Sequence, residues 1–386
     1  MRWAKTTIGQ HCTVTSSKRF HLSDRSDSGI PFYCSKEIIQ KNKGEEITEC
    51  DYIKEESYEA VKEQFGVPSC GDLLITTRGT YGVPYIYRET DRFYFADGNL
   101  TWLKDFDENF NAKFIYYWVL SYDGQKKIDA IAKGTAQKAV PIASIKQLEV
   151  PYPPIEIQKR IANILSTYDE LIENNRKQIK LLEEAAKRIY KEWFVDLRFP
   201  GYENTAIVDG IPEGWKNGVL GQLVEFKRGQ TITKSQVKPG SVPVVAGGLE
   251  PAYYHNSSNT KAPVITVSGS GANAGYTRLY YIDIFASDCS YLDSNLTKYL
   301  EYIYCLLRER KTDLRSMQKG SAQPHVYAKD INALHTLLPD EEIVRVFCKR
   351  TSFLFKKIGI LEQQNFSLIE SRDRLLPKLM TGEIEA

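Results

Sequence analysis

The sequence has little of what metal, redox or disulfide chemistry requires. Its five histidines are scattered, and its seven cysteines, Cys12, Cys34, Cys50, Cys70, Cys289, Cys305 and Cys348, include no Cys-x-x-Cys pair. No zinc spacing can be drawn from them, and an odd number excludes full pairing within the chain. Free thiols in a reducing compartment are the simple account. The start, Met1-Arg2-Trp3-Ala4-Lys5, lacks the apolar stretch of a signal peptide. The longest apolar-leaning run, Phe114 to Leu120, is much too short to span a bilayer. A soluble cytoplasmic protein with no membrane contact is expected.

Charge of one sign is also lacking. Lys and Arg number 51 against 49 Asp and Glu, a net charge of +2. Such a balance gives no overall field toward nucleic acid, so any binding of it must come from local patches. Nucleotide motifs are absent too. There is no G-x-x-x-x-G-K-[ST], and Ser268 to Gly275 (SGSGANAG) does not fit G-x-G-x-x-G and reads as a tight turn. Pro153-Pro154 follows Tyr152 rather than Asn or Asp, unlike the signature of amino-methyltransferases. His11, His21, Asp24 and Asp27 lie close together but lack a nucleophile partner or metal spacing. No catalytic residue and no metal ligand is expected.

What the sequence has is a repeat. Trp3 to Gln10 (WAKTTIGQ) recurs as Trp215 to Gln222 (WKNGVLGQ) at an offset of 212, and Ile30-Pro31 corresponds to Val242-Pro243. Lys133 to Gln137 (KGTAQ) recurs as Lys319 to Gln323 (KGSAQ) at an offset of 186, with Tyr116 and Leu120 matching Tyr302 and Leu306. Several matches in one order, with offsets that change at insertions, mark a duplication. The first half carries extra residues between Ile38 and Asp72. Thr76 to Thr80 (TTRGT) aligns with Thr266 to Ser270 (TVSGS) at an offset of 190. In each half, short β-branched and aromatic runs such as Leu73 to Thr77 and Val264 to Val267 read as strands between Gly and Pro turns. Helical stretches follow near 113–131 and 298–315, so each globular part is α+β. The chain's 24 tyrosines suit either a half-buried sheet or a polar partner.

After Pro151 to Pro154 the pattern becomes a long amphipathic helix. Its stripe is Ile157, Ile161, Ile164, Tyr168, Ile172, Asn175, Ile179, Leu182, Ala186, Ile189 and Trp193, a heptad seam with one stutter. Adding 186 gives Ile343, Phe347, Arg350, Leu354, Ile358, Leu361, Asn365, Leu368, Arg372, Leu375 and Leu379, again mostly apolar. Two such stripes in one chain can pair as an intramolecular coiled coil, and Ile157 to Trp193 would span roughly 54 Å. The asparagines either fix register or are exposed as the seam drifts; Arg350 and Arg372 read as exposed by drift. Lysines and arginines on the flanks read as a solvated face.

The segment Ile155 to Leu165 (IEIQKRIANIL), ending in Trp193 to Pro200 (WFVDLRFP), resembles the central conserved region of type I restriction-modification specificity subunits. The run from Pro339 to Ala386, with Leu375 to Ile384 (LLPKLMTGEI), resembles their distal conserved region, and the two Gly-x-Ala-Gln loops fit the same pattern. The resemblance covers the whole chain. It implies target recognition domains at 1–150 and 201–336, a central conserved helix at 151–200 and a distal conserved helix at 337–386. The fold class expected is thus two pseudo-repeated α+β target recognition domains separated by two long helices packed as an antiparallel intramolecular coiled coil. The resemblance further implies a non-catalytic subunit that reads a split site in double-stranded DNA, one half-site per domain. The helices would dock two methyltransferase subunits, and restriction subunits would join. No cofactor is expected in this chain; S-adenosylmethionine, ATP and Mg would belong to the partner subunits.

Reading bases requires Arg, Lys, Asn or Gln on loops, with hydroxyls and backbone N–H groups for phosphate. In the first half these criteria select Lys18, Arg19, Arg25, Thr77, Arg78, Thr80, Lys133, Gln137 and Lys138. In the second they select Lys227, Arg228, Gln230, Thr231, Ser268, Ser270, Asn273, Lys319, Gln323 and His325. Gln137 and Gln323 recur in both halves, so they suit a turn or a phosphate contact better than base reading. Two rivals stay open: a methyltransferase or nuclease acting by itself, and a coiled-coil scaffold whose β-rich modules bind protein or glycan. Salt-sensitive retention on DNA separates the last from a DNA reader.

Overall fold

The computed structural model describes residues 3–45, 47–134, 138–319 and 324–386. The chain forms two compact units, one of residues 1–173 with 367–386, the other of residues 174–366. Each unit contains one β-rich domain and one stretch of each long helix.

In the first unit, strand Leu73–Thr76 pairs with Pro84–Ile86 on one side and Leu100–Lys104 on the other, with Thr13–Thr15 beyond, all antiparallel. Alternation along the strand buries both faces, as the unbroken apolar run requires. Leu73 and Ile75 join Leu103 and helix Ala112–Leu120 in one core. Leu74 meets Tyr85, Phe93, Phe95 and Trp102 in another. A second sheet has Ile30–Tyr33 between Asp51–Ile53, antiparallel, and Tyr94–Phe95, parallel. Strand Ala4–Thr7 closes the domain against Glu149–Tyr152. The charged insertion is itself folded. It supplies helices Ser35–Lys43 and Glu55–Phe65 and strand Asp51–Ile53, whose Tyr58, Val61 and Ile53 pack on Phe32 and Tyr94.

The second unit repeats this plan with fewer parts. Val264–Ser268 lies between Thr277–Tyr280 and Cys289–Asp293, with Lys227–Arg228 beyond. Val242–Val245 again has one antiparallel neighbour, Tyr253–His255, and one parallel, Phe285–Ala286. Lys216–Val219 pairs with His335–Leu338 as the closing ribbon. The helical stretches each break in two: Ala112–Leu120 with Tyr122–Ile131, and Leu300–Glu309 with Lys311–Ser316. In the first, the Ser121 hydroxyl accepts from the Gly124 amide and caps the new helix.

The central helix, Ile155–Tyr190, ends in a π turn at Lys191–Val195, and the distal helix is Glu341–Thr381. Gln158 anchors the first turn. Its amide donates to the Pro153 and Asn109 carbonyls at 2.8 and 3.0 Å and accepts from the Asn111 amide at 2.9 Å. All eleven stripe residues of the central helix are buried or half-buried. The helices run antiparallel within each unit. In the first, Ile161 and Leu165 share a core with Leu379 and Met380, while Arg372 bonds Asp169 at 2.5 Å. In the second, Phe347 lies against Tyr190, Trp193 and Phe194, with ring centroids 5.3 to 6.1 Å apart. Asn175 and Asn365 are buried, which removes the reading that drift exposes them. Arg372 is also a correction: it is half-buried and ion-paired rather than exposed. Arg350 is exposed, with its guanidinium 5.8 Å from the Trp193 ring.

Candidate nucleic-acid interface

The two units place the same backbone frame beside the end of the central strand. In the first, Arg78 and Lys133 both bridge to Ala139. Lys133 and Ala139 exchange amide–carbonyl bonds of 2.8 Å, and the Val140 amide donates to the Thr77 carbonyl at 2.8 Å. In the second, Ser270 and Lys319 both bridge to His325. Lys319 and His325 exchange bonds of 3.0 and 2.9 Å, and the Val326 amide donates to the Gly269 carbonyl at 3.1 Å. The Gly82 amide returns to the Thr76 carbonyl as the Gly275 amide returns to that of Ser268.

These bonds correct the alignment read from sequence. They superpose Thr76 on Ser268 and Arg78 on Ser270, an offset of 192 rather than 190. Gly79 thus corresponds to Gly271, and both hold positive φ, +73° and +76°, where a side chain would be strained. Gly269 instead corresponds to Thr77. The two-residue error came from matching Gly79 to the glycine nearest in pattern.

Around this frame the selected residues divide by what already occupies them. Thr77 and Ser268 are buried, and their hydroxyls donate to the Gly98 and Gly247 carbonyls. Arg25 is paired with Asp51, with its guanidinium 4.0 Å from the Phe32 ring centroid. Arg19 pairs with Asp97 at 3.1 Å, Lys227 with Glu225 at 2.6 Å and Lys319 with Asp330 at 2.6 Å. Lys138 bonds Asp129 at 3.4 Å. The Tyr81 hydroxyl and then Lys138 hold that carboxyl below its ordinary range, and Lys138 is raised in turn. Lys18 is exposed, with its ammonium 4.7 Å from the Phe65 ring centroid. Arg78, Lys133 and Arg228 are exposed, and their side chains have no hydrogen-bonding or ion-pair partner among the described residues. Thr80, Gln230 and Thr231 are exposed as well, and Asn273 is half-buried in the turn. Gln137 and Gln323 lie outside the described residues.

In the second unit the frame borders a cleft of about 470 Å³, lined by Arg228, Asp288, Ser290, His325, Tyr327 and Lys329 among others. His325 and Tyr327 stack nearly parallel, 6° apart with centroids at 5.7 Å. The Ser270 hydroxyl donates to Asp288. Burial pushes the Cys289 thiol up to about 12, so this cysteine is no nucleophile at neutral pH. Tyr327 and Lys329 were not singled out from sequence; their signal was proximity to the recurring Lys319 loop. The cleft offers flat faces, fixed dipoles and cations. Among the described residues no group of three or more His, Cys, Asp or Glu could hold a metal ion, and no helix is long and apolar enough to cross a membrane.

Residues 2–184 and 212–368 match the model of the family described as type I restriction modification DNA specificity domain. Over 300 residues the chain is 27% identical to the specificity subunit of the type I restriction enzyme MjaIX of Methanocaldococcus jannaschii, covering 71% of this chain and 69% of that one. It is 22% identical over 329 residues to the HindI specificity subunit of Haemophilus influenzae, covering 62% and 70%. In fold it resembles the crystal structure of a type I restriction-modification system S subunit from M. genitalium, with 18% identity, a TM-score of 0.60 and coverage of 98% and 96%.

Proposed function

The chain belongs to the type I restriction modification DNA specificity family, and from that premise we propose that it reads a bipartite site in double-stranded DNA. A specificity subunit recognises DNA sequence and is not itself the catalyst. In this reading the domains at 1–150 and 201–336 take one half-site each. The observation that carries it is the repeated frame: one backbone arrangement occurs twice, bearing Arg78 and Ala139 in one copy and Ser270 and His325 in the other. Equal backbones with unequal side chains suit two half-sites of different sequence.

Tethering makes the second contact effectively intramolecular, so two modest readers become one specific reader. The helices hold the half-sites at a set gap, of the order of one DNA turn or ~34 Å. They also dock two methyltransferase subunits. Phe353 and Ile360, one heptad apart on the distal helix, are 64% and 53% exposed, and an apolar pair on a charged helix suits a partner's surface. Restriction subunits join that complex, and S-adenosylmethionine, ATP and Mg reside on the partners.

Mapping methylated bases across the host genome, with and without this gene, tests the proposal. The expected motif has two specified segments around an unspecified gap and disappears with the gene. A contiguous motif, or one that persists after deletion, would refute it.

A further inference from the structure

The repeat provides an internal control on which side chains carry sequence information. Lys133 and Lys319 occupy the same place on the shared frame and are the same residue, so they cannot distinguish two half-sites. Among the neighbours that change, two exchange arginine for serine, in opposite senses. Arg78 of the first unit stands where the second has Ser270. Arg228 of the second stands where the first has Ser16, since Lys227 faces Tyr291 as Thr15 faces Trp102 in the equivalent strand pair. Each unit therefore brings an arginine to the same frame, but from a different strand.

Both arginines are exposed and without a hydrogen-bonding or ion-pair partner among the described residues. Arg19, Arg25, Lys138, Lys227 and Lys319 all face a carboxylate. A guanidinium already held by a carboxylate has its fork filled and its charge offset locally. A free one can present two parallel N–H donors, which match the O6 and N7 acceptors of guanine. Lysine cannot reproduce that fork.

We propose that Arg78 and Arg228 are the guanine-reading side chains of the two half-sites, while Lys133 and Lys319 are phosphate contacts common to both. The assignment rests on the DNA-recognition reading above and says which residues perform it. In the second unit the stacked rings of His325 and Tyr327 line the same cleft as Arg228 and restrict how a base edge can approach it.

The test uses the full chain assembled with its methyltransferase subunits and a pool of duplexes randomised at both half-sites. Arg78→Lys keeps the charge and removes the fork. It is expected to lower the preference for guanine at one position of one half-site by roughly five- to hundredfold, leaving the other half-site unchanged. Arg228→Lys does the same in the other half-site. Lys319→Ala lowers affinity for all sequences alike and reduces the salt slope by about one, with the preference profile intact. Profiles of both Arg→Lys variants that match the wild type would overturn the assignment, because a phosphate contact tolerates lysine. Loss of preference in both half-sites from one substitution would overturn it too. Arg78 and Arg228 are exposed and have no partner among the described residues, so the thermal midpoints of the two Arg→Lys variants should equal that of the wild type. Failure of the wild-type complex to prefer any sequence would instead remove the DNA-recognition reading itself.

Discussion

Glu362 shows how a single carboxyl couples the distal helix to its surroundings. Burial pushes it up to about 7; the Arg278 guanidinium opposes the shift and the Glu183 carboxylate adds to it. A carboxyl whose folded-state value is raised favours the folded state when protonated. That contribution is complete below the ordinary value of 4.5 and is lost as pH rises through about 7. Glu362→Gln should therefore stabilise the protein at pH 8 by about 1–3 kcal/mol and flatten the fall in stability between pH 5 and 8. Denaturant midpoints across that range check it, and an unchanged pH slope would contradict it. The same scale explains why the candidate interface was half legible in the sequence. Cations on loops could be chosen by type, but their occupancy depends on distant carboxylates: Arg19 meets Asp97 and Arg25 meets Asp51. Composition shows that acidic residues are present, not where folding places them. Arg78 and Arg228 stand out only once those pairs are drawn.

At the scale of elements, the long helices were the most legible part because burial imposes a period of 3.6 residues that no turn interrupts. The stripe extrapolated by 186 residues locates the buried Phe347, Leu354, Ile358, Leu361 and Leu379. Its polar members were not resolved by pattern, since Asn365 is buried with an unpartnered Oδ1 while Arg350 is exposed. Strand register was less legible than strand existence. The pattern sets Thr76 against Thr266, whereas the hydrogen bonds at the strand end set it against Ser268, an offset of 192 that only those bonds reveal. Two neighbouring phenylalanines on the distal helix give opposite predictions. Phe347→Ala empties a site enclosed by Tyr190, Trp193, Phe194 and Tyr302 and should cost about 3–5 kcal/mol. Phe353→Ala alters an exposed side chain and should change stability by under about 0.5 kcal/mol while weakening capture of methyltransferase subunits. Urea unfolding of the chain and sedimentation of the mixture separate the two effects. Equal losses of stability would contradict the placement of both residues.

At the scale of the whole molecule, the duplication and the order of domains and helices were written in the sequence, because repeated strings survive wherever the frame reuses a turn. The insertion between Ile38 and Asp72 was recognised as extra but not as folded; its strand and its second helix pack through Ile53, Tyr58 and Val61, spaced too sparsely to announce a core. Near-neutral net charge does not exclude a DNA reader, since the frames carry exposed cations, Arg78 and Lys133 in one and Arg228 beside the other, that have no carboxylate partner among the described residues. The central claim is that one polypeptide fixes the separation of two half-sites through its paired helices. Its most direct measurement inserts one heptad between Glu173 and Asn174 and another between Phe366 and Ser367, then maps the sites methylated by the assembled complex. Each heptad adds about 10.5 Å of helix, near three base pairs. The account predicts unchanged half-site sequences separated by a gap longer by about that amount. Methylation at the original gap would contradict it.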